Sequence, residues 1–192
     1  TADMRSSCLS AGAERAEVCR QIQDVLVSGG RWSLNTTLKN PWRVALHPHM
    51  PYLGWGTFAH SSQAVLPLIQ AWKITGEKDY REAAMNSVHA QLGLNPQSLS
   101  YITGVGHRSP LFPLSKLSQY DDSDAPLPGI PVNGPSYHLP EIWPATRAVN
   151  QAYLPAETEF SGAYPPLHRY VDSDLLPPMS EPTVAEVART AI

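Results

Sequence analysis

The sequence predicts an all-α fold built from antiparallel helix pairs with elaborate loops at one end. Apolar residues recur at helical spacing in three separate stretches, each followed by a glycine. No convincing pair of alternating, strand-like segments accompanies them, and no internal repeat or low-complexity tract is present.

The first helix is expected over residues 13–27, where Val18, Ile22, Val25 and Leu26 share a face and Gly29-Gly30 read as its stop. Residues 31–60, rich in Trp, Pro, Asn and His, read as a loop. The second helix is expected over about 57–75, with Val65, Leu68, Ile69 and Trp72 facing inward. Pro67 either kinks it or marks its start, and Thr75-Gly76 closes it. The third runs from Lys78 to Leu92, with Tyr80, Ala84, Met85, Val88 and Leu92 as its apolar side. Gly93 is suited to cap it, and Pro96 prevents continuation. Residues 95–180 read mostly as loop with a short helix at 143–153. So long a connection points to function or to a surface covered by a missing partner. A last helix is expected over Thr183 to Ala191, with Thr183 and Glu186 in capping-box spacing.

Composition narrows the function classes. The 192 residues are 42% hydrophobic and only 16% charged, with a net charge of −3. That is enough apolar material for a core and no electrostatic case for nucleic acid or an anionic membrane. No apolar run approaches the roughly 20 residues of a membrane span. No signal peptide opens the sequence, but a start at Thr1 is equally compatible with one that has been removed. Nineteen prolines and 12 glycines call for long ordered loops. Five tryptophans and eight tyrosines serve either as core or as flat platforms for sugar rings. Cys8 and Cys19 either form a disulfide, as in a secreted protein, or remain thiols. His47, His49 and His60 lack the spacing of a zinc site. No Gly-x-Ser-x-Gly elbow or phosphate-cradling loop occurs.

Two carboxylates nine positions apart, Asp172 and Glu181, concentrate the candidate chemistry. Glu181 lies between a proline-rich stretch and the expected last helix, a placement that serves a general acid or, equally, a helix cap. The two roles make opposite demands. A helix N-terminus favours the anion, whereas a general acid has to hold its proton. Burial against aromatics, or repulsion from another carboxylate, has to prevail.

Several ordered motifs between about residues 50 and 190 resemble glycoside hydrolase family 9, the family of many cellulases. Asn95-Pro96 followed by Ser100-Tyr101-Ile102-Thr103-Gly104-Val105-Gly106 is similar to its Asn-Pro and Ser-Tyr-Val-Thr-Gly-x-Gly segment, and Arg108 and Pro113 fall at the next signature positions. Pro126-Leu127-Pro128-Gly129 and Asn133-Gly134-Pro135 resemble its proline-glycine loops. Tyr170-x-Asp172, Glu181, Thr183 and Ala188 fall at the spacing of its second signature, and Gly54-Trp55-Gly56 resembles its entry to a barrel helix. Departures occur at Leu114 and Lys116, where the family has a sugar-contacting histidine and arginine, and at Pro177 and Val187.

The resemblance implies the C-terminal part of an (α/α)6 barrel, about its last five helices. Residues 1–192 would then form one partial catalytic domain, completed by a missing N-terminal segment or a second polypeptide. It implies an inverting glycosidase acting on β-1,4-linked glucan or a related oligosaccharide such as an amino-sugar polymer. Glu181 would be the general acid and Asp172 its supporting carboxylate. The base would come from the missing part, because no Asp-Ala-Gly-Asp-like motif occurs here. Tyr101, His107, Arg108, Lys116, Trp143 and Tyr170 are the implied sugar contacts. Trp143, Tyr153, Phe160 and Tyr164 either wall off one end of the cleft, favouring exo-action, or merely pack the insert. No cofactor is implied beyond a structural calcium, for which Asp121, Asp122 and Asp124 are the candidate ligands. Secretion or a periplasmic location follows from the same resemblance. The losses at Leu114 and Lys116 motivate the alternative of a family member that binds glycan without cutting it.

Overall fold

The computed structural model describes residues 13–45, 56–136 and 166–182. Three long helices make the frame: α1 (Ala13–Leu38), α2 (Thr57–Thr75) and α3 (Lys78–Gln91), each in contact with the other two. Two single-turn helices, α4 (Lys116–Gln119) and α5 (Pro177–Ser180), and a 3-10 turn at Pro166–His168 punctuate the loops. Among the described residues the only β-type pairing is an isolated bridge between Ile102 and Pro131.

α1 runs past the expected stop and continues through Gly29-Gly30 to Leu38, so 31–38 are helix rather than loop. The reason is tertiary. A Cβ on Gly30 would lie 2.3 Å from Cβ of Ala71 and 2.9 Å from the Pro67 carbonyl oxygen. The two backbones therefore approach at a distance that only glycine permits. The packing offsets the roughly 1 kcal/mol by which a helical glycine is less favourable than alanine. Pro67 lies in the interior of α2, not at its start.

α2 and α3 keep the expected boundaries because their ends carry local signals. Gly76 adopts the left-handed conformation (φ 78°) and donates its N–H to the Trp72 carbonyl at 2.7 Å. After α3, Gly93 takes φ 125° and the Leu94 N–H reaches back to the His89 carbonyl at 2.8 Å, a Schellman-type closure. The buried face of α3 is not the expected one. Tyr80 and Ala84 are buried, but so are Ala83, Ser87, Ala90 and Gln91, while Met85, Val88 and Leu92 are exposed. Small side chains allow α3 to approach its neighbours closely, leaving the larger ones on the open side. Ser87 also uses its hydroxyl to accept the Ala45 N–H at 2.8 Å.

Two apolar clusters result. One fills the space between the helices around Leu68, Ala71, Tyr80 and Ala84. The other joins helix ends to loops and includes Phe58, Tyr101, Val132, Tyr170, Leu176 and Met179. The loop region is ordered by hydrogen bonds rather than by regular elements. The Asn95 amide donates to the carbonyls of Ala90 and Leu99 at 2.7 Å each, and its oxygen accepts the Gln97 N–H at 3.1 Å. The Thr103 hydroxyl bridges Leu127 and Ile130. The described part of the stretch read as loop, 95–136 and 166–180, is thus an ordered layer held by such bonds. The helices expected at 143–153 and 183–191 lie outside the described residues.

Candidate active site

The two motif-bearing segments are clasped together through main-chain groups. The Leu114 N–H donates to the Ser180 carbonyl at 3.0 Å, next to Glu181. The Gly134 N–H donates to Met179, and the Asn133 amide to the Pro177 carbonyl at 3.4 Å. The Gln97 side chain donates to the His168 carbonyl at 2.7 Å. Residues 97–114, 133–134 and 168–181 therefore form one assembly.

A cavity of about 680 Å³ opens in this assembly, bordered by Gln97, His107, Arg108, Leu111, Tyr170 and Asp172 among others. His107 and Arg108 are exposed at its rim, and an Arg108 guanidinium N–H donates to the Gln97 carbonyl at 3.1 Å. The Tyr170 hydroxyl donates to Oδ1 of Asp172 at 3.2 Å. Four of the sequence-derived site residues, His107, Arg108, Tyr170 and Asp172, thus border one concavity.

Asp172 is occupied differently from expectation. Its Oδ2 accepts the Leu111 N–H at 2.7 Å and its Oδ1 the Phe112 N–H at 3.1 Å. Each oxygen is committed to the backbone of the opposite lip, so its observed contacts hold a loop rather than Glu181. Tyr101, expected to line the cleft, is fully buried beneath it. Its ring packs against Phe58 and Tyr170 at centroid distances of 4.8 and 5.0 Å, and its hydroxyl donates to Gln97. An aromatic beside two glycines reads equally as platform or core, and only packing separates the two.

Lys116 lies on α4, where its ammonium donates to Gln119 and sits 5.5 Å from the Tyr120 ring, away from the residues that border the cavity. Leu114 is half-buried. Glu181 is half-buried, caps the C-terminal end of α5 in an extended conformation (φ −75°, ψ 128°), and does not border the cavity. The helix whose N-terminus it was expected to open lies outside the described residues, as do Trp143, Tyr153, Phe160, Tyr164, His47, His49 and Cys8. Cys19 is in a disulfide.

Among the described residues no group of three or more His, Cys, Asp or Glu is arranged to hold a metal ion. Asp121 accepts the Ser123 N–H at 3.1 Å in a local turn. No described helix is long and apolar enough to cross a membrane.

Residues 10–191 match the description Glycosyl hydrolase family 9. The chain belongs to this family. It is 35% identical over 96 residues to a xyloglucan-specific endo-beta-1,4-glucanase, BoGH9A of Bacteroides ovatus, covering 46% of this chain and 16% of that protein. The GH family 9 endoglucanase J30 shares its fold with a TM-score of 0.74 at 22% identity, over 93% of this chain and 30% of that one. AaCel9A, solved in complex with cellobiose-like isofagomine, does so at 0.72 and 18%, over 98% and 32%. The fold is therefore part of an (α/α)6 barrel, and the chain spans about a third of the length of these solved relatives.

Burial pushes the Tyr101 hydroxyl well above the ordinary tyrosine range. Burial does the same to Tyr170, reinforced by the negative charge of Asp172. Unfolded tyrosines ionise near pH 10 (about 10), so both stay neutral in the folded state where the unfolded chain has begun to lose protons. Their contribution to stability is complete below about pH 10 and is lost as pH rises beyond it. Denaturant unfolding at stepped pH should show stability falling above pH 10, with a shallower fall in Tyr101→Phe. An unchanged slope in that variant would remove Tyr101 from the account.

Proposed function

We propose that this chain supplies the C-terminal share of a glycosidase active site acting on β-1,4-linked glucan. Family membership over residues 10–191 carries this reading. Its local support is the bonding of the 97–114 and 168–181 segments around one polar cavity. Glu181 is the general acid. It gives its proton to the glycosidic oxygen as the bond to the anomeric carbon breaks. A water deprotonated by a carboxylate from the remainder of the barrel attacks that carbon from the opposite face. Such inverting geometry holds the two carboxyl groups about 6.5–9.5 Å apart to admit the water.

The relative's name, xyloglucan-specific endo-beta-1,4-glucanase, favours internal cleavage of a glucan backbone as the working substrate class. The Cys19 disulfide supports an oxidising, extracellular or periplasmic location. The segment completing the barrel belongs either to the same polypeptide upstream or to a second one.

One observation favours a glycan-binding protein that does not cut. Leu114 carries no hydrogen-bonding side chain, and Lys116 is engaged by Gln119 and Tyr120. Both positions hold sugar-contacting residues in the resemblance described above. The readings separate when the full-length protein is incubated with xyloglucan and with carboxymethylcellulose, following reducing ends and, by NMR, the anomer first released. The expected result is reducing-end release with the α-anomer appearing first. Retention of the β configuration would overturn inversion, and binding without release would favour the second reading.

A further inference from the structure

A ridge beside two cavities of the loop layer is built from Pro110-Leu111-Phe112-Pro113, two apolar side chains flanked by prolines. The outer prolines are buried and the inner pair is exposed, Leu111 by 59% and Phe112 by 57%. Leu111 borders both the 680 Å³ cavity and a second one of about 190 Å³, and Phe112 borders the second. Exposed apolar side chains on a loop ordinarily lack a fixed place. Here the backbone beneath them is held on every side. Asp172 accepts both inner N–H groups at 2.7 and 3.1 Å. Proline fixes φ at each end, and the next residue, Leu114, is bonded to Ser180 at 3.0 Å.

An aromatic ring presented on a fixed backbone beside a concavity of mixed polar and apolar lining has a specific chemical use. A β-linked pyranose carries its hydroxyls around the rim and its axial C–H bonds on the faces. It therefore pairs an apolar platform with hydrogen-bonding groups at the edges. Gln97 and Arg108 supply such groups on one side, and Ser118 and Asp124 on the other. Resting on the glycan reading above, we propose that Phe112 is a platform for one pyranose ring at the second cavity, with Leu111 between it and the first, and that Asp172 is the positioning residue that holds the platform. A preorganised ridge binds without the ordering cost of a loose loop. That gives the carboxylate a use that its bonds to backbone N–H groups otherwise leave unexplained.

The test uses the full-length protein and cellohexaose, with Kd measured by calorimetry and folding followed by thermal unfolding. Phe112→Ala should weaken Kd about tenfold, equivalent to about 1.4 kcal/mol, with little change in the thermal midpoint. Phe112→Tyr should restore affinity. Asp172→Asn should weaken Kd comparably, and the double variant should lose little more, because both substitutions remove the same platform. A purely structural role for Asp172 predicts additive losses instead and would overturn its assignment. The platform is overturned if cellohexaose does not bind, if Phe112→Ala leaves Kd unchanged, or if it lowers the thermal midpoint by several degrees at constant Kd. The last outcome would place the ring against the rest of the barrel. Binding that depends on Phe112 without any bond cleavage would sink the hydrolase reading and leave the platform standing.

Discussion

Glu181→Gln should lower kcat on a β-1,4-glucan by about 10²–10⁴-fold, the range that a positioned proton donor contributes, while KM changes by less than about threefold. Glutamine keeps the size and the hydrogen-bonding shape of the side chain. Only the transferable proton is lost, so the deficit falls on the transition state rather than on substrate binding. Asp172 has both oxygens engaged by backbone N–H groups and a tyrosine hydroxyl. Glu181 leaves the one-turn helix α5 in an extended conformation beside the Leu114–Ser180 bond and does not border the cavity. A substrate with a good leaving group checks the role itself. An aryl glycoside of a strongly acidic phenol needs no protonation of the departing oxygen, so it should retain far more of its rate in the variant than a glucan does. Equal losses on both substrates would mean that Glu181 acts in binding or folding, and unchanged turnover would remove it from the reaction.

How much of this was legible in the sequence depends on whether the signal was local. α2 and α3 were, since an apolar period and a glycine end each of them within a few residues of the chain. α1 was not, because Gly29 and Gly30 carry the same letter whether they stop a helix or let two helices touch. Only the positions of Ala71 and Pro67 decide which. The inward face of α3 was misjudged for a related reason. Periodicity favours the large side chains Met85 and Val88, whereas close packing buried Ala83, Ser87 and Ala90. At the candidate site, motif spacing singled out segments that the fold brings together, and His107, Arg108, Tyr170 and Asp172 border one cavity. Spacing says nothing about which N–H groups reach an oxygen sixty residues away. The hold of Asp172 on Leu111 and Phe112, and the burial of Tyr101, therefore emerged only in three dimensions.

The same distinction yields the second large effect, at Gly56. Gly56 and Gly76 have nearly the same positive φ, 79° and 78°, but ψ is 141° at Gly56 and 0° at Gly76, so alanine meets left-handed strain of about 1 kcal/mol at Gly76 and a costlier conformation, nearly restricted to glycine, at Gly56. Their surroundings differ. A Cβ on Gly76 meets nothing within 4 Å, whereas one on Gly56 would lie 2.3 Å from Cβ of Asn133 and 2.6 Å from its carbonyl oxygen. That carbonyl accepts the Phe58 N–H at 3.0 Å, and the next turn of the junction is closed by the Thr57 N–H on the Pro135 carbonyl at 2.7 Å. The obstruction is backbone already committed to hydrogen bonds, so it cannot swing aside as a side-chain tip would. Gly76→Ala should therefore cost about 1 kcal/mol, and Gly56→Ala about 3 kcal/mol or more once overpacking is added. Denaturant unfolding of the two variants measures the difference directly. Catalysis should follow stability only at Gly56. Displacing residues 133–135 disturbs the Asn133 bond to Pro177 and the Gly134 bond to Met179, which anchor the turn that ends in Glu181. If both variants lose the same stability, neither the backbone conformation of Gly56 nor the tight junction between α2 and the 133–135 loop exists in solution as described.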